Sequence, residues 1–231
     1  MKHMLGAACG LWLCLAGAGA AQTPVVVELF TSQGCSACPP ADAFIEELVS
    51  DPSVIALSLH VDYWDYIGWP DSFAKPQFTE RQKAYARAEG SRTIYTPQLV
   101  VGGTDRVEGT QPGLVHDLLR RHQAVSHDVS LQLDRQGDSM AVRLAAPMPL
   151  AAPARVQLVR YRPEQTVTIE RGENAGRTVT YRNIVTEWSV LGEWDGAAPF
   201  EVQASVPGSD PAVVIVQAAG PAGILAAGRA D

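Results

Sequence analysis

The chain has 231 residues, of which 46% are hydrophobic and 19% are charged, and its formal net charge is −7. This composition is typical of a globular protein and excludes disordered and collagen-like chains. The length suffices for one large domain or two small ones. An acidic chain without a basic cluster is a poor candidate for binding nucleic acid or anionic membranes, so we expect neither as a partner.

Residues 1–21 have the pattern of a signal peptide. A short basic start precedes an apolar run over residues 5–15, and small residues follow at 18–20. The run is too short to cross a bilayer, so we expect cleavage and no stable membrane insertion of the mature chain. The predicted location is periplasmic or secreted. Cleavage leaves two of the four cysteines, Cys35 and Cys38.

Residues 22–126 predict an α/β domain with the element order β-α-β-α-β-β-α. The strands are short apolar runs. The first and last helices repeat apolar residues at helical spacing, and the middle helix, about 76–89, is polar. In the first helix, Asp42 falls on the polar face. A strand-helix-strand start requires a parallel sheet with a right-handed crossover. The predicted strands are 25–30, 54–61, 98–101 and 106–108, and the predicted helices begin near 39, 76 and 114.

Residues 127–231 predict a β-rich region, sandwich-like and packed on the first domain. The junction at 125–128 is short and has no flexible spacer, which disfavours independent tumbling. The apolar strand over 177–194 predicts a buried face, partly against the aromatic segment 63–69 and beside Cys35. The strand candidates are 129–133, 140–144, 155–162, 165–171, 177–190, 199–204 and 212–218.

The pair Cys35 and Cys38 follows a predicted strand and opens a predicted helix, a setting typical of a redox C-x-x-C. A helix start favours a thiolate, which is the nucleophile of disulfide exchange. We therefore expect Cys35 to attack and Cys38 to resolve the mixed disulfide. A helix that begins at Pro39 would favour Cys38 instead. The alternative to either assignment of the attacking cysteine is that the pair forms an inert disulfide within a binding module.

Together with Thr96-Pro97 before a short strand, this arrangement resembles the thioredoxin superfamily over about residues 24–125. The resemblance implies that Pro97, with Thr96 before it, lies in a loop that faces the cysteines and docks the substrate backbone. It also implies that Glu28 assists proton transfer to Cys38, the alternative being a strand-end carboxylate in water. The cysteine pair is then the redox centre, and no bound cofactor is implied.

The chain is more closely similar to a bacterial family of secreted proteins that have a thioredoxin-like domain and no assigned function. That resemblance spans nearly the whole mature chain and implies a fold without an established reaction. The segments that carry it are 28–35, 38–42, 60–64, 78–82, 95–98 and 172–177.

The predicted function is thiol-disulfide exchange on protein or small-molecule thiols and disulfides. Trp64 lies in an aromatic segment that either forms a rim for a client beside the cysteines or packs as core under a loop. The alternative function is copper binding or delivery by Cys35, Cys38 and His60, because thiolate and imidazole suit copper. A hydrogen-bonded role at the sheet end also explains His60.

Overall fold

The computed structural model describes residues 23–109, 111–220 and 222–230. The predicted signal peptide lies outside these residues. Over the first part of the chain, the observed order of helices and strands confirms the predicted one. The elements there are β1 (Val25–Thr31), α1 (Pro39–Val49), β2 (Val54–His60), α2 (Pro76–Ala88), β3 (Gln98–Val101), β4 (Asp105–Glu108) and α3 (Pro112–Gln123), with a short 3-10 turn at Asp65–Ile67.

The second part consists of strands, as predicted. Its elements are β5 (Ser130–Gln136), β6 (Ser139–Ala145), β7 (Ala154–Thr168), β8 (Thr178–Trp194), β9 (Phe200–Ser205), β10 (Ala212–Ala218) and β11 (Ile224–Ala230). Two predicted strands, 155–162 and 165–171, are replaced by the single long strand β7. The sequence pattern missed β11, which is rich in alanine and glycine, residues that are depleted in strands.

Four of the later strands extend the sheet of the first part. The eight-stranded order is β11-β10-β7-β8-β2-β1-β3-β4, and β5, β6 and β9 form a separate sheet. β8 pairs in parallel with β2, with Ser58 opposite Ile184. The large sheet therefore takes strands from both sides of the predicted division at residue 126, and the pairing covers the backbone edge that β2 would otherwise expose. The predicted sandwich is limited to the three-stranded sheet, which packs face to face on β7, β10 and β11 of the large sheet.

Alternation along β1 directs its side chains to two different helix layers. Val27 and Leu29 pack with apolar residues of α1 and α3. Val26 and Phe30 pack on the opposite face with Phe78 and Tyr85 of α2. The three-stranded sheet covers β7, β10 and β11 on the face that carries α1 and α3. The position of a residue in β1 thus decides whether its side chain meets α1 or α2.

None of the helices in the part of the chain that the structure describes combines the length and apolar character needed to cross a membrane.

Candidate functional site

The cysteine turn, residues 32–38, connects β1 to α1. Cys35 and Cys38 form a disulfide with their Cα atoms 5.4 Å apart. Both cysteines are buried, at 1% and 0% exposure, whereas Ser36 and Ala37 between them are exposed. Exposure alone therefore does not distinguish an attacking sulfur from a resolving one.

Helix α1 begins at Pro39, with Cys38 as its N-cap residue. This is the arrangement for which the dipole argument favours Cys38 over Cys35. However, Pro39 and Pro40 have no N–H to donate to a sulfur. The next N–H groups, of Ala41 and Asp42, both bind the carbonyl oxygen of Cys38. Only the dipole remains to stabilise a thiolate here, and it is a weak guide to which cysteine attacks.

The structure brings four of the predicted site residues together. The Sγ atom of Cys35 lies 3.7 Å from the carbonyl oxygen of Thr96, and the Thr96–Pro97 peptide bond is cis. The indole Nε1 of Trp64 donates to the hydroxyl of Thr96 over 2.7 Å. Gly34 faces the Cβ of Trp64, and a Cβ built on Gly34 would lie 3.2 Å from it. Close packing against Trp64 thus accounts for glycine before Cys35.

The loop between β7 and β8 holds the other side of the cysteine turn. Asn174 is 1% exposed, and its Nδ2 donates to the carbonyl oxygens of Gln33 and Cys35, both over 2.9 Å. Gly172, which is in the same loop as Asn174, lies close to the Cβ of Trp69. The loop of this hairpin thus packs beside Cys35 and the aromatic segment, where the prediction placed the apolar face of the strand over 177–194. Asn174 lies in the segment 172–177 that supports the family resemblance, but no role was predicted for it.

Glu28 does not lie beside the cysteines, contrary to the expectation for a proton acceptor of Cys38. It points to the α2 face of the sheet, where its carboxylate binds Nε and Nη2 of Arg81 over 2.5 and 2.7 Å. The hydroxyl of Tyr85 donates to the same carboxylate over 2.5 Å. The alternative reading of a carboxylate in water is also wrong, since Glu28 is fully buried.

Asp42 is the buried carboxyl group on the cysteine side of the sheet. It follows Cys38 by one helical turn and accepts a hydrogen bond from the hydroxyl of Thr31 over 2.7 Å. Cys38 has helical dihedral angles, so its side chain and that of Asp42 are neighbours, with Cβ atoms about 5–6 Å apart. Burial raises the pKa of Asp42 to about 7, although His60 and Thr31 lower it.

A buried histidine–aspartate pair lies next to Asp42. Nδ1 of His60 is 2.7 Å from Oδ2 of Asp71, and both side chains are fully buried. Asp71 also accepts the backbone N–H groups of Gln33 and Phe73. Burial opposes its ionisation, but the charge of His60 and these hydrogen bonds lower the pKa of Asp71 below its usual value. This confirms the hydrogen-bonded role for His60.

Nε2 of His60 is buried and has no hydrogen-bond partner among the described residues. The ring packs edge-on against Tyr181 of β8, with centroids 4.9 Å apart. Burial, followed by the charges of Asp42 and Asp71, raises the pKa of Tyr181. β8 therefore covers the face of α1 that carries Asp42, which the sequence pattern assigned to solvent. Within the described ranges, no three His, Cys, Asp or Glu side chains are grouped as metal ligands.

Sequence reasoning missed three members of this site. Asp42 stands in the quoted segment 38–42, one turn from Cys38, and that spacing was the available signal. Asn174 had a similar signal in the segment 172–177. Asp71 had none, because it lies in an irregular loop after Pro70 and reaches His60 only in the folded chain.

Two solved structures have the same architecture. A structural-genomics protein from Agrobacterium tumefaciens is 33% identical, with a TM-score of 0.78, over 91% of this chain and 95% of that one. HBP35 of Porphyromonas gingivalis is 15% identical, with a TM-score of 0.66, over 92% of this chain and 76% of that one. At that identity the second likeness shows the fold alone. No curated protein matches the chain.

A family model described as "protein of unknown function (DUF1223)" matches residues 26–217. The match includes the cysteine turn, the Thr96–Pro97 loop, His60, Asp71 and Asn174, and so contains every residue of the site above. The chain belongs to the DUF1223 family.

Proposed function

We propose that the protein catalyses thiol-disulfide exchange through Cys35 and Cys38, at a thioredoxin-like site. The observation that carries the proposal is the approach of Cys35 Sγ to the carbonyl oxygen of Thr96, 3.7 Å away. A disulfide that served only to staple a turn would stabilise little, because it closes a loop of few residues. Here it is placed against a separate loop whose backbone can align a substrate chain.

Cys35 is the attacking cysteine in this proposal because its sulfur faces the Thr96–Pro97 loop. In the reduced protein, the Cys35 thiolate attacks one sulfur of a client disulfide. A Cys35–client disulfide forms, and the other client sulfur leaves as a thiolate. Cys38 then attacks Sγ of Cys35, the Cys35–Cys38 bond forms, and the second client sulfur leaves. Two electrons pass to the client, and the reverse sequence oxidises a client dithiol.

Asp42 takes the proton of the Cys38 thiol before that second attack. A carboxyl group with a pKa of about 7 is matched to proton transfer near neutral pH. When the second client sulfur leaves, Asp42 returns the proton to it and is ionised again. The charge of His60 lowers the pKa of Asp42 and that of Asp71 raises it. Glu28 has no part in the step.

The clients are proteins or small molecules that carry a disulfide or a pair of thiols. Disulfides form and persist in oxidising compartments, which agrees with the periplasmic or secreted location expected from residues 1–21. The half-buried Trp64 fixes the Thr96 side chain and so shapes the edge of the client groove. The exposed residues Ser36 and Ala37 present the turn to the client.

The test is reduction of a small disulfide-containing protein by the full chain with an added dithiol. We expect turnover by the native protein and none by Cys35→Ser or Cys38→Ser. Ser36→Ala, a change at an exposed position within the same turn, is the matched control and should keep the native rate. Equal turnover by all four proteins would overturn the proposal. A Cys35–Cys38 disulfide that a large excess of reduced glutathione cannot reduce would also overturn the proposal.

A further inference from the structure

A cavity of about 240 Å³ lies between α2 and the part of the sheet formed by β7, β8 and β10. It is on the α2 face, whereas α1 and the cysteine turn are on the opposite face. The cavity exists because α2 covers only part of the widened sheet. Taking about 30 Å³ as the liquid volume of one water molecule, it has room for roughly eight water-sized groups.

Arg81 lines this cavity. Its Nε and Nη2 bind the buried Glu28 carboxylate, and Nη2 also reaches Tyr85 and Gln217. Nη1 has no hydrogen-bond partner among the described residues. The side chain is 12% exposed, and Cζ stacks 3.9 Å from the ring centroid of Trp188. The guanidinium is thus held rigidly with two N–H groups left for a ligand.

The other polar groups of the cavity are held in fixed orientations. Gln157 accepts from Nε1 of Trp188 over 2.9 Å and donates to Gln217 over 3.3 Å. Gln217 in turn donates to the hydroxyl of Tyr85 over 3.0 Å. Groups already fixed by their neighbours lose little conformational freedom when a ligand binds.

A second cation stands at the mouth of the cavity. Arg155 lines it and is 57% exposed, with Nε 3.6 Å from a carboxylate oxygen of Glu193. An exposed pair of this kind is weak and can give way to a ligand. Glu28 already balances the charge of Arg81, so the site suits one negative charge and not a polyanion. Phe78, Trp188 and Ala84 supply apolar surface beside it.

We propose that this cavity binds a small organic monocarboxylate with an apolar or aromatic body. The carboxylate pairs with Nη1 of Arg81 and with Arg155, and the body lies against Phe78 and Trp188. The site is separate from the cysteine chemistry, and its occupancy does not depend on the function proposed above.

The experiment titrates the full chain with benzoate, using benzyl alcohol as the uncharged analogue and inorganic phosphate as a polyanion. Binding is followed by calorimetry and by the indole N–H resonance of Trp188, assigned with Trp188→Phe. We expect saturable benzoate binding that shifts this resonance, at least about tenfold weaker binding of benzyl alcohol, and no competition by phosphate.

Two variants locate the binding. Arg155→Gln removes the exposed cation and should weaken benzoate binding about tenfold, and Ala84→Leu should block the cavity. Arg143→Gln, which removes an exposed arginine paired with Glu201 on the other sheet, is the control and should bind as the native chain does. Absence of benzoate binding, tighter binding of phosphate, or binding indifferent to Arg155→Gln in a folded variant would each overturn the proposal.

Discussion

Asp42 and Glu28 are both buried carboxyl groups, but their surroundings give them different chemistry. Glu28 is held by the Arg81 guanidinium and the Tyr85 hydroxyl. Asp42 has a neutral donor, Thr31, and no directly bound cation. An acid that is desolvated without a paired cation has a raised pKa, which is the property a proton acceptor for a thiol requires. The residue beside Cys38 is therefore the one suited to the reaction.

Replacement of Asp42 by Asn is expected to slow exchange on the order of 100-fold near pH 7, because the general base is lost. The difference should narrow as the pH rises, because hydroxide becomes an alternative base for the thiol proton. The measurement is the pH profile of turnover with a small disulfide protein. Glu47→Gln, at an exposed position of the same helix, should keep the native profile. A native profile in Asp42→Asn would contradict the role.

The same substitution should make the protein more stable at neutral pH. The folded-state pKa of Asp42, about 7, exceeds its ordinary value of 3.8, so the folded state binds more protons between these pH values. Stability contributed by this group is present below about pH 4 and is lost as the pH rises to 7. His60, whose charge lowers the pKa of Asp42, and Asp71, whose charge raises it, are both present in the variant.

Urea unfolding at pH 4 and pH 8 measures this effect. We expect Asp42→Asn to lose less free energy of unfolding between the two pH values than the native chain, by on the order of 3 kcal/mol. Glu47→Gln, at an exposed position of the same helix, serves as the control. Equal pH dependence in native and variant proteins would show that Asp42 titrates normally.

At the scale of elements, the long hairpin of β7 and β8 completes the site that β1, β2 and α1 begin. Its tip places Asn174 against the cysteine turn. Its second strand places Tyr181 over His60 and pairs Arg182 with Glu46 of α1. The hairpin thus covers the side of α1 that the sequence assigns to water. The hairpin therefore excludes water from Asp42.

Asn174→Ala should destabilise the oxidised protein by about 1–3 kcal/mol, because buried carbonyl oxygens lose their donor. It should also speed reduction of the disulfide by a small dithiol, since the turn is held less firmly. Urea unfolding and the rate of dithiol reduction measure the two effects. Glu173→Ala, at the exposed neighbouring position, is the matched control. Identical behaviour of the two variants would show that Asn174 does not stabilise the cysteine turn.

At the scale of the whole molecule, the two sequence regions share one sheet and one buried polar network. β8 pairs with both β2 and β7. Arg81 of α2 connects Glu28 of β1 to Gln217 of β10. Separating the regions would expose the edge of β2 and remove the Gln217 hydrogen bond from the buried Arg81, a loss of about 1–3 kcal/mol for the hydrogen bond alone.

We therefore expect a single cooperative unfolding transition. Near-UV and far-UV circular dichroism should give coincident curves in urea. Limited proteolysis should not yield two stable, separable fragments from a cut at residues 125–128, and a chain nicked there should elute as one species. Two transitions, or two folded fragments, would show that the regions fold independently.

The sequence alone determined the local structure of the chain. The order of helices and strands through residue 123, the cysteine turn between a strand and a helix, and the strand character of the later region were all predicted. These features depend on side-chain periodicity and turn residues within short segments, which is information the sequence carries directly.

Only the tertiary structure decided which groups meet. A polar residue within an apolar strand alternates to one face or the other, but the helix that covers that face is set by distant packing. Glu28 therefore meets Arg81 of α2, while Asp42 and His60 are enclosed by β8, more than 100 residues later in the chain. The pairing of β2 with β8 is equally non-local. The chemistry of this site follows from desolvation by a remote hairpin, which no local pattern in the sequence specifies.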